Sequence, residues 1–214
     1  MTIIIPSRNS ANVEQCIAAL QRCEPEAQLL VIDDGLEFRP DGAEYVAGEK
    51  PFVFARNVNL GICLALARGE QWIGVWNDDA LLKTPRGLTQ MIDEWPRNCG
   101  IAAPACTNVG NLNQHPHGSG GWRSEPRMLC FTAVVFPREL VDRIGLLDER
   151  FTGYGWEDND YCRRAREAGF ALYVYDRCIV DHSSLQPTFR THARAGGDIW
   201  GNAEIYRQKW GDLQ

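Results

Sequence analysis

The sequence predicts one α/β domain in which a mostly parallel, Rossmann-like sheet is flanked by helices. Three observations lead there. Short β-branched runs alternate with segments of helical apolar period, the pattern of βαβ units. Two of those runs end directly on acidic pairs, Asp33 with Asp34 and Asp78 with Asp79, where parallel sheets bind ligands. No repeat, low-complexity block or linker divides the chain.

Each element has its own justification. Residues 2–5 are a β-branched run stopped by Pro6, the profile of a strand buried on both faces. A helix over 13–23 follows, with Val13, Ile17 and Leu20 on one stripe and Asn12 as its expected N-cap. Strands are predicted over 29–32 and 52–54, and 57–61 leads into a helix reaching Leu66. Residues 72–76 form a fourth strand, and Pro85 suits the first position of a helix running to about Trp95. Residues 107–127 are rich in Gly, Asn and Pro and lack periodicity, so they read as a mobile lid or binding loop. A strand over 130–136, a helix over 138–144 and an aromatic loop over 148–156 come next. An acid-rich helix over 157–168 follows, capped by Gly169, then strands over 172–175 and 178–180. Residues 196–210 suggest a last helix with Ile199, Ala203, Tyr206 and Trp210 on one face. It would serve as a core cover, a homodimer contact or an acceptor-side lid.

Composition narrows the function. Hydrophobic residues at 44% and charged residues at 23% over 214 positions suit a globular chain with a full core. A net charge of -6 argues against a general nucleic-acid partner. No apolar run approaches the ~20 residues of a membrane span, and the start lacks a signal-peptide pattern. The expected location is cytoplasmic, with peripheral membrane docking left open. The eight cysteines form no Cys-x-x-Cys pair and read as small buried hydrophobes.

No P-loop, dinucleotide fingerprint, zincin helix or nucleophile elbow is present. What remains is an ordered series of carboxylates at element ends, each of which singly suits a cap or turn. The series runs Thr-Ile-Ile-Ile-Pro-Ser-Arg-Asn at 2–9, Leu-Val-Ile-Asp-Asp-Gly at 30–35, Asn-Leu-Gly at 59–61 and Trp-Asn-Asp-Asp at 76–79. It continues with Gly-Leu-Leu-Asp-Glu-Arg-Phe at 145–151, Trp-Glu-Asp-Asn-Asp at 156–160 and Asp-His at 181–182. In this order and spacing the chain resembles a family 2 glycosyltransferase with the GT-A fold, over residues 2 to about 184.

That resemblance implies a nucleotide-sugar donor, with UDP-sugars and dTDP-rhamnose as leading classes, and a glycan or lipid-linked acceptor. It implies Mn2+ or Mg2+ at Asp79, with Asp78 facing the ribose, Asp34 bonding the nucleobase and Pro6 and Ser7 lining the base pocket. Asn59 and Gly61 match the next nucleotide-side block. His182 matches a position that completes the metal shell, and equally suits a buried histidine satisfied by a carbonyl. Asp158 would be the general base of an inverting transfer, with Glu157 beside it or orienting the acceptor. Tyr154 and Trp156 would offer apolar faces to the acceptor sugar. Residues 1–105 would form the nucleotide-sugar half, 106–184 the acceptor and catalytic half, and 185–214 a helical extension. Leu36 and Glu37 depart from the family's Ser or Thr after Asp-Asp-Gly. A catalytically silent binder of the same fold is a competing reading. A sugar-1-phosphate nucleotidyltransferase is another, although Ser7-Arg8-Asn9 lacks its Gly-rich triphosphate loop.

Overall fold

The computed structural model describes residues 1–188 and 199–211. Its strands are β1 (Thr2–Ser7), β2 (Gln28–Asp33), β3 (Glu44–Ala47), β4 (Trp72–Trp76) and β5 (Leu81–Leu82). They continue with β6 (Cys99–Cys106), β7 (Trp122–Glu125), β8 (Ala133–Pro137) and β9 (Ala171–Asp181). The helices are α1 (Ser10–Cys23), α2 (Phe54–Ala67), α3 (Gly87–Asp93), α4 (Arg138–Ile144), α5 (Glu157–Glu167) and α6 (Ile199–Trp210). The strands form one sheet in the order β3-β2-β1-β4-β8-β6-β9-β5, with β7 added against β9. Strands β1, β2, β3, β4, β6 and β9 share one direction, and β5, β7 and β8 oppose it.

Both faces of the sheet are covered, which is why its central strands are apolar without alternation. On β1, Ile4 faces α2, α4 and α5, where Val58, Ile62, Leu140 and Tyr161 complete one core. Ile3 and Ile5 face α1 and α3 and meet Val13, Ile17, Leu20, Leu88 and Met91. Gly61 is fixed by this packing, because a Cβ there would sit 2.5 Å from Ile4 Cγ2.

Several boundaries differ from the sequence reading, each for a local reason. Asn9, not Asn12, caps α1: its side chain accepts the Asn12 amide at 3.1 Å, so the helix opens at Ser10. Residues 52–54 are not a strand. Val53 makes a single bridge to Gly153, and Phe54 opens α2, where Phe54, Val58, Ile62 and Ala65 share a helical stripe. Helix α3 starts at Gly87 rather than Pro85, with the buried Glu24 carboxylate accepting the amides of Leu88 (2.7 Å) and Thr89 (3.2 Å). The strand expected over 130–136 begins at Ala133, and the two late strands are one, β9, crossing an irregularity in its pairing with β6. Of the last helix, residues 196–198 lie outside the described residues, while Ala203 and Tyr206 are buried as expected.

The 107–127 stretch is not structureless. It holds a 3-10 turn (Leu112–Gln114) and β7, which pairs with β9. Asp176 on β9 accepts the His117 amide at 3.0 Å and Arg123 at 3.1 Å, while Glu125 accepts Asn111 (3.0 Å) and Asn113 (2.8 Å). Burial alone would raise the Asp176 carboxyl, but these amides and Arg123 outweigh it and hold it near 2. The stretch is thus anchored through polar side chains, which an apolar-period reading does not register.

Candidate active site

Parallel register brings the acidic strand ends together. Ile4 pairs with Val75 and Ser7 with Asp33, so the turns after β1, β2 and β4 open onto one sheet edge. There Ser7 Oγ donates to Asp78, and the Asp34 amide donates to Ser7 O at 2.7 Å. Pro6, Ser7, Arg8, Asp34, Phe52, Phe54, Asn77, Asp78, Asp79, Tyr154 and Thr188 line the resulting cleft. Lys50 donates to both Asp34 O and Asp34 Oδ1, the latter at 2.5 Å, so the cleft's floor acid is already paired.

Asp78 is almost fully enclosed. Burial pushes its carboxyl up to about 6, with the neighbouring Asp79 adding to the rise and Ser7, Thr188 and Asn12 opposing it. Thr188 Oγ1 donates to Asp78 at 2.9 Å, and Asn12 Nδ2 donates to Thr188 Oγ1 at 3.1 Å and to Gln186 O at 2.9 Å. With Thr188 across it, the cleft has about 30 Å³ of free space, room for a water or two.

Asp79 and His182 form the site's other pair. Strand β5 pairs Leu81 with Asp181, which brings Asp79, two residues before β5, to His182, the residue after β9. His182 Nε2 lies 3.1 Å from Asp79 Oδ1, and Nδ1 lies 3.0 Å from Asn108 O. A carbonyl only accepts, so Nδ1 carries the proton and donates, fixing the ring. Nε2 then faces a carboxylate oxygen, and a proton or a cation must sit between them. Two cis ligands of an octahedral ion with bonds of ~2.1 Å are about 3 Å apart, so the pair fits a divalent cation. The carbonyl contact of Nδ1 is the structural alternative for His182, and it leaves Nε2 facing Asp79. Among the described residues no cluster of three or more His, Cys, Asp or Glu side chains could hold a metal. A cation here would draw its remaining ligands from water and phosphate.

The second acidic pair is brought in by α5. β8 runs antiparallel to β4, with Asn77 N donating to Thr132 O at 2.8 Å, and Phe131 in turn donates its amide to Asp158. Tyr154 bridges the two halves: its hydroxyl accepts from Asn77 Nδ2 at 3.2 Å, and it feels the charges of Glu157, Asp158 and Asp79. Burial raises both carboxyls of the pair above the usual range. Backbone amides oppose the rise at both: Asp158 accepts those of Asn159 (2.7 Å) and Phe131, and Glu157 accepts that of Gly155. Glu157 is 2% exposed, and its Oε2 has no partner. Burial therefore favours the protonated form within this pair, most of all at Glu157, where the charge of Asp158 adds to the rise.

This has a consequence for stability. As pH rises above about 4.5, Glu157 ionises in the unfolded chain while the fold keeps its proton, so stability falls across that window. Glu157→Gln removes the penalty. We expect it to stabilise the protein by on the order of 1–3 kcal/mol at pH 7 and by little at pH 4. Urea titrations at both values check this, and an equal effect at the two would contradict it.

Four of the expected site residues lie differently. Asn59 is buried in a fold contact: its side chain accepts the Leu147 amide and donates to Leu147 O, both at 2.9 Å, and it donates to Glu149. Gly61 packs on Ile4. Neither lines the cleft. Trp156, at φ 75°, turns its ring onto Tyr206 of α6, with 5.3 Å between centroids. Tyr154 lines the same cleft as the nucleotide-side acids and meets Phe54 edge-on at 4.9 Å. The sequence reading gave no role to Phe52, in an expected strand, or to Asn77, inside the Trp-Asn-Asp-Asp block, and it missed Lys50 and Thr188, which belong to no periodic or strand-end pattern.

No known family profile matches the chain. Uncharacterised proteins of Mycobacterium tuberculosis and Mycobacterium bovis are 27% identical over 188 residues, covering 82% of this chain and 70% of theirs. Among solved structures, a mannosyltransferase of Pyrobaculum calidifontis in complex with GDP-Man and Mn2+ superposes with a TM-score of 0.68 at 16% identity. That match covers 100% of this chain and 64% of the mannosyltransferase, so this chain spans less than two thirds of its length. The catalytic domain of Drosophila β1,4-galactosyltransferase 7, in complex with xylobiose, gives a TM-score of 0.58 at 16% identity, covering 92% and 80%. GalNAc-T7 with UDP, GalNAc and Mn2+ gives 0.62 at 12%, covering 90% and 46%. At such identities the likeness is one of architecture, and by that measure the chain has the GT-A fold of glycosyltransferases.

Proposed function

We propose that the chain is an inverting, metal-assisted glycosyltransferase that moves a sugar from a nucleotide-diphosphate donor to a hydroxyl of a glycan or lipid-linked acceptor. One observation carries this reading: two acidic pairs, Asp78 with Asp79 and Glu157 with Asp158, meet around Tyr154 at the carboxyl edge of a GT-A sheet. Pro6, Ser7, Asp34 and Phe52 would receive the base, Asp34 accepting an N–H and Phe52 offering a ring face. Asp78 would accept a ribose hydroxyl in place of Thr188. Asp79 and His182 would hold Mn2+ or Mg2+, which neutralises the departing diphosphate. The Asp158 carboxylate takes the acceptor's hydroxyl proton as that oxygen attacks the anomeric carbon, and the bond from this carbon to the phosphate oxygen breaks. The nucleoside diphosphate leaves from the opposite face, so the configuration inverts.

The test is a panel of nucleotide sugars with Mn2+ and mixed glycan acceptors, read by mass spectrometry for the transferred sugar and the released diphosphate. Binding without turnover would favour the silent binder. Pyrophosphate release from a nucleoside triphosphate and a sugar 1-phosphate would favour the nucleotidyltransferase.

The Thr188 contact gives a further expected result. Thr188→Val keeps size but loses the hydroxyl that competes for Asp78, so UDP or GDP should bind several-fold tighter by calorimetry. Unchanged or weaker binding would show that Thr188 does not compete for the ribose position.

A further inference from the structure

We propose that Asn202, on α6 and outside every motif of the sequence series, is the positioning residue for the Glu157 and Asp158 pair. The inference rests on the functional reading above. The loop that delivers this pair is irregular: Gly153, Gly155 and Trp156 all have left-handed backbones, at φ 65°, 105° and 75°. Such a loop bonds little to itself, and its polar backbone must be satisfied from outside. On one side Phe54 N donates to Gly153 O at 2.8 Å. On the other stands Asn202, 0% exposed. Its Oδ1 accepts the Thr152 amide at 2.9 Å, and its Nδ2 donates to Thr152 O at 2.7 Å and Gly155 O at 2.9 Å.

One amide side chain thus clamps the loop two residues before Glu157, using its acceptor and both donors. The clamp is itself held. Trp210 Nε1 and Lys209 Nζ reach the buried Asp160 of α5 at 2.7 and 2.8 Å, and Tyr206 packs on Trp156. Helix α6 therefore ties both ends of the segment that presents the acids. Displacing a catalytic group by ~1 Å can cost about 10²-fold in rate, whereas Asp34, Asp78 and Asp79 stand on the turns after β2 and β4, which the three hydrogen bonds of Asn202 do not reach.

The expected result is a split between kcat and donor affinity. Asn202→Ala should lower kcat by about 10–100-fold and leave the Kd for UDP or GDP with Mn2+ within about twofold. Asn202→Asp, the same shape, keeps the acceptor for Thr152 but loses both donors, and serves if the alanine variant does not fold. By hydrogen exchange, the Thr152 amide should lose protection in Asn202→Ala and keep it in Asn202→Asp. Glu204→Ala, which removes only exposed contacts to Arg207 and Gln208 within α6, is the control and should keep kcat. An unchanged kcat in the Asn202 variants, a parallel loss of nucleotide affinity, or an equal fall in Glu204→Ala would overturn the proposal. A wild-type chain inactive toward every donor would overturn the functional reading and the clamp's role together. An active wild type with unaffected variants overturns only the clamp.

Discussion

Asp158→Asn should lower transfer by ~10²–10⁴-fold while nucleotide and metal affinity stay within a few-fold. The substitution preserves size and one carbonyl acceptor, which can keep the Asn159 amide bond. It removes only the basic oxygen. The nucleotide-side residues stand on the turns after β1, β2 and β4, whereas Asp158 stands on α5, so the two functions are separable by mutation. In wild type the acid limb of the rate profile should lie above the ordinary aspartate range, because burial raises this carboxyl. Activity falls as pH drops through that raised value, since the protonated acid accepts nothing. The product must have the opposite anomeric configuration to the donor. A variant with near-normal turnover, or a product that retains configuration, would remove Asp158 from the role. A variant that fails to bind nucleotide would make Asp158 structural and leave Glu157 as the next residue to change.

What was legible in the sequence follows the physics of each element. Strands β1, β2 and β4 are continuous apolar runs buried on both faces, and the acids after β2 and β4 are set by that topology. β6 is equally buried but rich in Ala and Cys, and Gly100 has no room for a side chain, because a Cβ there would meet Phe170 at 2.6 Å. Close packing there erased the usual strand composition. β3 is a short, half-exposed edge strand with little apolar pattern. Asn59 and Gly61 show the limit of motif matching. Positions two apart on a helix point in different directions, so they do not form one binding face. Here one reaches Leu147 and the other Ile4. Asn202 and Thr188 act through single polar contacts made across the fold, at sequence separations from which no local pattern arises.

Asp79→Ala should abolish donor turnover and remove the Mn2+-dependent part of nucleotide affinity, a loss on the order of 10³-fold in rate. Asp79 is 4% exposed and stands 3.1 Å from His182 Nε2, so its removal deletes the anionic half of the pair. The imidazole remains oriented by Asn108 O, and His182→Ala should therefore cost less than Asp79→Ala. Because the described chain supplies a pair rather than a cage, Mn2+ alone should bind weakly and tighten sharply when UDP or GDP brings its phosphates. Calorimetry of Mn2+ with and without nucleotide, in wild type and both variants, separates these terms. Tight binding of Mn2+ alone, preserved in Asp79→Ala, would place the metal elsewhere. Full turnover in the presence of a chelator would show that the Asp79 and His182 pair acts without it. Loss of metal-dependent affinity in Asp79→Ala, with the Asp34 side of the cleft still binding nucleoside, would fix Asp79 as the anionic ligand beneath the leaving diphosphate.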